Sequence, residues 1–277
     1  MSVSVPFQKL QGCGNDFILI DQLTHAYPVD WQKAAPTLCH RQFGIGADGI
    51  LLVLPPTQEG HDVRMRIINS DGSEAQMCGN GIRAFARYLA QRGFEKTTLA
   101  VETLAGTIRP TLVGERVRVD MGMPRLEKPQ IPMQGEGKAI AETLSANGRE
   151  YRFTAVSMGN PHCVIFVDED PDTLDLAAIG PAIETHPLFP EKTNVEFAQV
   201  LAPDRIKMRV WERGAGITLA CGTGACATLV AASLNGLSGN AASLELPGGT
   251  LFIEWEKEGR VSMTGPADFV YSGLIEV

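Results

Sequence analysis

Two cysteines of the sequence stand in matching surroundings that could give them chemical roles. Cys78 begins the segment Cys-Gly-Asn-Gly, Cys221 begins Cys-Gly-Thr-Gly, and a helix is predicted after each. A sulfur at a helix start lies beside backbone N–H groups without intrahelical partners, and the partial positive charge there lowers a thiol pKa. The same N–H groups can bind a carboxylate, and the neighbouring glycine allows its close approach. Each segment therefore predicts a thiol beside an anion-binding helix end.

Such a pair of thiols could invert a carbon atom that bears a carboxylate. Removal of an α-proton places negative charge on the carboxylate oxygens, so N–H donors aimed at them stabilise the transition state more than the ground state. If two similar halves face one another, one thiolate can take the proton while the opposite thiol supplies another. The residues thus favour a cofactor-independent amino-acid epimerase with Cys78 and Cys221 as base and acid.

The alternative for any single cysteine near a helix start is a small buried apolar residue. Two cysteines at matched places, each within Cys-Gly-x-Gly, favour the catalytic interpretation instead. No metal site is predicted, because the cysteines and histidines form no Cys-x-x-Cys type of pair. The remaining cysteines lack the matched context and are predicted to be structural: Cys13, Cys39, Cys163 and Cys226.

Residues 44–49 match the three-glycine dinucleotide fingerprint by their letters alone. That fingerprint binds phosphate only where it follows a strand and opens a helix. Here a strand is predicted directly afterwards, at 50–54. The segment is therefore predicted to be a turn rather than a nucleotide site.

An internal repeat relates the two cysteine segments. Laying the sequence over itself so that Cys221 falls on Cys78 also brings residues 206–212 onto Val63–Asn69. A shift two residues longer places residues 159–162 on residues 14–17. Two similar halves are the simplest explanation.

Short β-rich runs separated by Gly, Pro and Asp turns predict that most of the chain is strand and turn. Helices are predicted at 82–92 and 225–235, each ended by a glycine, and the second is apolar on nearly all sides, so sheet should enclose it. The clearest predicted strands are 17–20, 50–54, 64–68, 163–167 and 251–255.

These elements predict an α/β protein of the α+β type with two pseudo-symmetric domains. Each domain should be a β-sheet barrel or sandwich wrapped around a central helix, with the active site in the cleft between them. Three prolines followed by glycines, at 124–137, predict a linker. The expected domains are residues 1–120, which contain Cys78 and are joined by the C-terminal strand 266–277, and residues 121–265, which contain Cys221.

Charge and hydropathy narrow the possible partners. The net charge is -8, with scattered Lys and Arg, which argues against nucleic-acid binding. No apolar run is long enough to cross a bilayer, and the first residues do not resemble a secretory signal. We therefore expect no membrane partner, a cytoplasmic location, reduced thiols and a small-molecule substrate.

Together these motifs resemble the diaminopimelate epimerase family. Residues 69–83, Asn-Ser-Asp-Gly-Ser-Glu-Ala-Gln-Met-Cys-Gly-Asn-Gly-Ile-Arg, are similar to that family's signature, and its other motifs follow in the same order at 12–17, 157–162, 193–195, 212–216 and 220–225. The resemblance extends from the first dozen residues to 271–273, so it covers nearly the whole chain.

The resemblance implies interconversion of LL- and meso-2,6-diaminopimelate for lysine and peptidoglycan precursors, without pyridoxal phosphate or metal. It implies that Cys78 and Cys221 are the acid and base, that His162 and Glu212 support them, and that a homodimer forms with Tyr271 near the contact. The substrate-binding residues that it implies are Asn15, Asn69, Gly79, Asn80, Asn160, Asn194, Glu212, Arg213, Gly222 and Thr223.

One position departs from the family pattern, and several functions remain open. Gly49 stands where some relatives carry a Gln that is thought to touch substrate. Proline racemase or hydroxyproline epimerase shares the two-cysteine chemistry but recognises no distal charged group, which Glu212 and Arg213 could bind. A thiol redox protein and a non-catalytic amino-acid binding protein are the alternatives from other classes.

Overall fold

The computed structural model describes residues 2–256 and 259–277. It has a mixed α+β structure rich in strands, and its contacts separate two compact units. The first unit contains the chain up to Val119 together with Gly265–Val277, and the second contains Asp120–Thr264. None of the helices among the described residues has the length and apolar character needed to span a bilayer.

The elements alternate short strands with a few helices. In the first part of the chain they are β1 Ser4–Gly12, β2 Asn15–Asp21, α1 Trp31–Leu38, β3 Gly49–Leu54, β4 Val63–Asn69, β5 Glu74–Ala75, α2 Gly79–Gln91, β6 Val101–Thr103, β7 Gly106–Ile108, β8 Thr111–Val113 and β9 Arg116–Gly122. The chain continues with a 3-10 turn at Lys128–Gln130, β10 Glu142–Ala146, β11 Arg149–Ser157, β12 Pro161–Phe166, a 3-10 turn at Pro171–Thr173, α3 Leu176–Glu184, β13 Asn194–Ala202, β14 Arg205–Glu212, β15 Gly216–Ile217, α4 Gly222–Leu234, β16 Ala241–Leu246, β17 Gly249–Trp255, β18 Val261–Pro266 and β19 Asp268–Glu276.

The first unit contains one sheet in the order β19-β1-β2-β3-β4-β6-β7, with β5 beside β4. Strands β2 and β3 are parallel, as are β4 and β6, and the other neighbours are antiparallel. One face of the sheet packs against α1 through a core that includes Ile18, Ile50 and Trp31. The other face carries α2, which contacts β1, β2 and β3.

The second unit repeats this plan. Its strands follow the order β10-β11-β12-β13-β14-β16-β17-β18, with β15 beside β14. Strands β12 and β13 are parallel, as are β14 and β16, so the two parallel pairs of the first unit recur at matching places in the strand order. The repeat predicted from the sequence is therefore confirmed as a repeat of topology. In the described part of the chain neither sheet closes on itself, so the units are open sheets around a helix and not barrels.

The two long helices confirm the predicted helical segments and begin earlier than predicted. Helix α2 starts at Gly79 and α4 at Gly222, because the preceding cysteine is the N-cap of each helix. Both helices end before a glycine with positive φ, Gly93 at 99° and Gly236 at 69°, which only glycine adopts at little cost. Helix α4 contacts β11, β12, β13, β16 and β17, as its apolar surface predicts.

Strands are found over each predicted β-rich run, although Val167 lies just beyond β12. The predicted linker at 124–137 is wrong as a linker, because this segment packs inside the second unit. Ile131 and Met133 are buried in a core that includes Phe153 and Phe197. These apolar side chains between the prolines and glycines gain more from burial than from exposure in a flexible connection.

Candidate active site

Cys78 lies at the start of α2 with its sulfur turned toward the helix end. Its backbone is extended, and its Sγ accepts a hydrogen bond from the Gly81 N–H at 3.4 Å. The sulfur also lies 3.6 Å from Oδ1 of Asn15, to which the Asn80 side-chain amide donates at 3.2 Å. Three residues singled out from the sequence, Cys78, Asn15 and Asn80, are therefore neighbours.

A buried arginine holds this helix end together. The guanidinium of Arg83 donates to the carbonyl of Gly79 at 3.0 Å, to Oδ1 of Asn80 at 2.9 Å and to the carbonyl of Pro266 at 3.2 Å. Its side chain is fully buried. Arg83 belongs to the recognised signature, but no role was assigned to it, because its partner Pro266 is distant in the sequence.

Asn15 is positioned by an acidic residue next to the unusual glycine. Its side-chain amide donates to Oδ2 of Asp48 at 2.6 Å. At Gly49 itself a Cβ atom would lie 2.7 Å from the carbonyl oxygen of Ile68, so the backbone would have to shift before any side chain could be accommodated. Asn69, opposite Gly49 on β4, donates to the hydroxyl of Ser73 at 2.9 Å. A glutamine at position 49 would therefore not fit this backbone unchanged.

Cys221 occupies the corresponding place in the second unit. It is the N-cap of α4, with the Gly224 N–H donating to its Sγ at 3.4 Å and the Thr223 hydroxyl 3.5 Å away. Burial raises the pKa of Cys221 well above its ordinary value, and the carboxylates of Glu212 and Glu196 raise it further. The Gly224 N–H at the helix end lowers this thiol pKa, as predicted, but desolvation and negative charge outweigh it, so the net direction is upward.

His162 is the centre of a buried polar group in the second unit. Its Nδ1 lies 2.7 Å from Oε1 of Glu196, and its Nε2 lies 3.0 Å from Oδ1 of Asn160. Asn160 in turn donates to the hydroxyl of Thr223 at 3.3 Å. Glu196 was not identified from the sequence, because its contact with His162 is made between two parallel strands that are far apart in the chain.

Glu212 is a partly buried carboxylate at the end of β14, and it accepts a hydrogen bond from the hydroxyl of Thr218. Burial raises the pKa of Glu212, the hydrogen bond from Thr218 opposes this, and the charge of Glu196 adds to the increase. The side-chain oxygen of Asn194 accepts from the backbone N–H of Arg213 at 2.9 Å, and the Arg213 guanidinium donates to the carbonyl of Glu191 at 3.0 Å. Arg213 is exposed, so its charge is available to a ligand.

Strand alternation explains why these groups share one face of the second sheet. Val195 and Phe197 on β13 belong to the core shared with α3, so Asn194 and Glu196 face the opposite side. By the same alternation His162 on β12 lies opposite to the core. These side chains therefore lie on the side of the sheet that carries α4.

Tyr271 and three of the other cysteines are assigned no part in the chemistry. Tyr271 is exposed on the edge strand β19, where its hydroxyl donates to the carbonyl of Ile45 at 3.3 Å. Cys13, Cys39 and Cys163 are buried, and burial raises the pKa of each thiol, to about 11 for Cys39. The three are therefore poor nucleophiles, which agrees with their predicted structural roles.

Known proteins similar to this chain point to one family. Residues 7–127 and 154–270 match the family described as Diaminopimelate epimerase. A diaminopimelate epimerase of Desulfitobacterium hafniense is 54% identical over 276 residues, which are 96% of this chain and 96% of that protein. One of Pelotomaculum thermopropionicum is 55% identical over 275 residues, covering 96% of this chain and 97% of that protein.

Solved structures show the same fold at low sequence identity. A crystal structure of the Bacillus anthracis phenazine biosynthesis protein of the PhzF family has a TM-score of 0.72 at 17% identity, covering 99% of this chain and 100% of that one. A hydroxyproline epimerase from Agrobacterium vitis has a TM-score of 0.68 at 13% identity, covering 99% and 91%. Such distant likeness shows the architecture alone, whereas the family match and the identity above 50% extend over nearly the whole chain. The chain belongs to the diaminopimelate epimerase family.

Proposed function

We propose that this chain interconverts LL-2,6-diaminopimelate and meso-2,6-diaminopimelate, with Cys78 and Cys221 acting on opposite faces of one α-carbon. The observation that carries the proposal is the matched pair of cysteine N-caps, each accepting a hydrogen bond from the third residue of its helix. The family to which the chain belongs supports the choice of substrate.

The proposed mechanism consists of two proton transfers. The thiolate of one cysteine takes the α-proton, which breaks a C–H bond and forms an S–H bond. The electron pair left on carbon spreads into the carboxylate, whose oxygens accept hydrogen bonds from the first N–H groups of α2 and α4. The thiol of the other cysteine then gives its proton to the opposite face and becomes the thiolate. One proton leaves the substrate and one enters it, so no other reactant is consumed.

Substrate binding is assigned to the groups around the two helix ends. Gly79 and Gly222 offer backbone N–H groups for the reacting carboxylate. Arg213 has the planar donor set that suits a distal carboxylate, and Glu212 can accept from an ammonium group. The full proposed set is Asn15, Asn69, Gly79, Asn80, Asn160, Asn194, Glu212, Arg213, Gly222 and Thr223, with His162 and Glu212 supporting Cys221.

The wider setting follows from the same family. We propose a role in lysine and peptidoglycan precursor synthesis, a cytoplasmic location, and a homodimer in which Tyr271 lies near the contact. Tyr271, Val270 and Leu274 are exposed on β19, which is the edge strand of the first sheet, and this supports the proposed contact.

The test is to incubate the purified chain separately with LL-diaminopimelate, meso-diaminopimelate and L-proline and to follow the isomers by chiral chromatography. We expect both diaminopimelate isomers to converge on one mixture and L-proline to keep its optical purity. Racemised proline with unchanged diaminopimelate would instead support the proline racemase alternative. Catalysed thiol–disulfide exchange without any inversion would support the redox alternative.

A further inference from the structure

Glu196 is a fully buried carboxylate on β13 with an unusual environment. Its Oε1 contacts His162 at 2.7 Å, and both side chains have no exposed surface. Its Oε2 is also buried and has no hydrogen-bond partner among the residues that the structure describes. A buried carboxylate oxygen without a partner destabilises a fold, so such a residue is expected to serve a function.

The carboxylate lies against the same turn of α4 as the reactive thiol. A Cβ atom placed on Gly224 would lie 2.7 Å from Oε1 of Glu196 and 3.2 Å from Sγ of Cys221. The absence of a side chain at Gly224 therefore lets the carboxylate and the sulfur approach the same backbone position. Negative charge so close to a thiol disfavours its ionisation.

Hydrogen bonds continue this contact as a chain of polar groups. The His162 ring joins Glu196 to Asn160, because its Nδ1 lies 2.7 Å from Oε1 of Glu196 and its Nε2 lies 3.0 Å from Oδ1 of Asn160. The Asn160 amide donates to the hydroxyl of Thr223, and that hydroxyl lies 3.5 Å from Sγ of Cys221. Glu196 thus acts on Cys221 directly, through its nearby charge, and is also linked to it through the side chains of His162, Asn160 and Thr223.

The first unit has apolar residues where the second has this pair. A Cβ atom on Gly81, which corresponds to Gly224 in the repeat, would lie 3.3 Å from Cδ2 of Leu51 and 3.5 Å from the Phe17 ring. By the internal repeat, Leu51 and Phe17 occupy the strand positions that Glu196 and His162 occupy in the second unit. The two thiols are therefore built into unlike surroundings.

We propose that Glu196 is a positioning residue that keeps Cys221 in the thiol form in the resting enzyme, so that Cys221 is the first proton donor and Cys78 carries the thiolate. This inference rests on the two-thiol mechanism proposed above. One inversion leaves Cys78 as thiol and Cys221 as thiolate. Glu196 then favours the return to the resting state, in which Cys78 releases one proton to solvent and Cys221 takes up one proton from solvent.

The groups that face Cys221 support this direction. They are Glu196 on β13 and Glu212 on β14, with the hydroxyl of Thr223 and the Gly224 N–H on α4, while His162 on β12 contacts Glu196. Burial and the two carboxylates raise the pKa of Cys221 well above its ordinary value, while the Thr223 hydroxyl and the Gly224 N–H oppose them.

The test measures alkylation of Cys221 by iodoacetamide as a function of pH in the Cys78→Ala protein, with the modified site identified by peptide mapping. Adding Glu196→Gln keeps the shape and an acceptor for His162 but removes the charge. We expect the pH midpoint to fall and the rate at neutral pH to rise about tenfold, because only the thiolate reacts. The rate plateau at high pH, which reports access to the sulfur, should not change.

Glu102→Gln is the matched control, because Glu102 is a buried carboxylate of the first unit that accepts from Thr57 and Gln58. Glu102→Gln should leave the pH midpoint of Cys221 alkylation unchanged.

If Glu196 had a purely structural role, Glu196→Gln would lower the melting temperature without moving the pH midpoint, and an unmoved midpoint overturns the proposal. If Glu196→Gln does not fold, Glu196→Asp, which withdraws the charge from α4, should lower the midpoint by a smaller amount, and no change there also overturns it.

The assignment of Cys78 as the resting thiolate has its own measurement. In the Cys221→Ala protein we expect Cys78 to be alkylated with a lower pH midpoint than Cys221 shows in the Cys78→Ala protein. The opposite order contradicts the proposal. These measurements need no substrate, so a failure of the epimerase proposal would appear in the isomer assay and would leave the alkylation result interpretable.

Discussion

At the scale of single residues, Cys78 and Cys221 hold the same structural position but differ in what surrounds them. Both cap a helix and accept from the N–H group three residues on. The buried guanidinium of Arg83 fixes Gly79 and Asn80 in the first turn after Cys78, whereas carboxylates face Cys221. Under the proposal made above, the same kind of helix end supports opposite protonation states of a thiol in the two units.

Replacing either cysteine by alanine should abolish inversion without unfolding the chain. Each thiol serves one face of the carbon, so losing one removes an acid–base group for which we expect a rate loss of at least about 10³-fold. The isomer assay measures the rate, and circular dichroism checks the fold. Cys39→Ala is the control, because Cys39 is buried in the core beside α1 and should be dispensable for the reaction. A single variant, Cys78→Ala or Cys221→Ala, that inverts at nearly the parent rate contradicts the two-thiol mechanism.

At the scale of elements, the side chains that the first turn of each long helix can accommodate depend on how closely the sheet approaches that turn. In α2 the neighbours of Gly81 are apolar side chains at ordinary or slightly short distances. In α4 the neighbour of Gly224 is the buried carboxylate of Glu196. Position 224 of α4 is therefore less tolerant of an added side-chain atom than position 81 of α2.

Gly224→Ala should lower the free energy of unfolding by about 1–3 kcal/mol, because its methyl group would overlap Oε1 of Glu196 in a packed interior. Gly81→Ala should cost less, since its nearest neighbour is 3.3 Å away and alanine favours a helix. Gly239→Ala is the control, because no atom lies within 4 Å of the added methyl group. Urea unfolding measures the stability of all three variants. If Gly224→Ala and Gly239→Ala were equally stable, the carboxylate of Glu196 would not approach position 224 closely enough to restrict it.

At the scale of the whole molecule, the proposed reaction predicts where solvent hydrogen enters the substrate. The thiol that faces the carbanion has exchanged with solvent before the opposite thiolate removes the substrate proton. In D2O, early samples starting from the LL isomer should therefore contain meso product with deuterium at the inverted carbon, while the remaining LL isomer keeps its hydrogen. If a single base instead moved the abstracted hydrogen from one face of the carbon to the other, early meso product would keep the original hydrogen and the LL isomer would be labelled to a comparable extent.

Chelator and hydroxylamine should leave the rate of inversion unchanged, which tests the expectation that neither metal nor pyridoxal phosphate takes part.

Much of the architecture follows from local patterns in the sequence. Helices α2 and α4 are signalled by Cys-Gly-x-Gly before them and by Gly93 and Gly236 after them, because capping and helix termination depend on residues close in the chain. The strands follow from short β-rich runs between turns, and the repeat follows from matching order. The residues Cys78, Asn15 and Asn80 could be named for the same reason, since recognisable motifs contain them.

Only the tertiary structure decides the features that depend on burial and on distant pairing. Glu196 meets His162 because β12 and β13 pair in parallel, and Arg83 meets the carbonyl of Pro266 across 183 residues of sequence. The thiol pKa of Cys221 is raised rather than lowered, because the extent of desolvation and the approach of carboxylates are set by packing. The sequence alone therefore determined which residue types could do the chemistry and which segments are helical, while the fold decided which charges face Cys221.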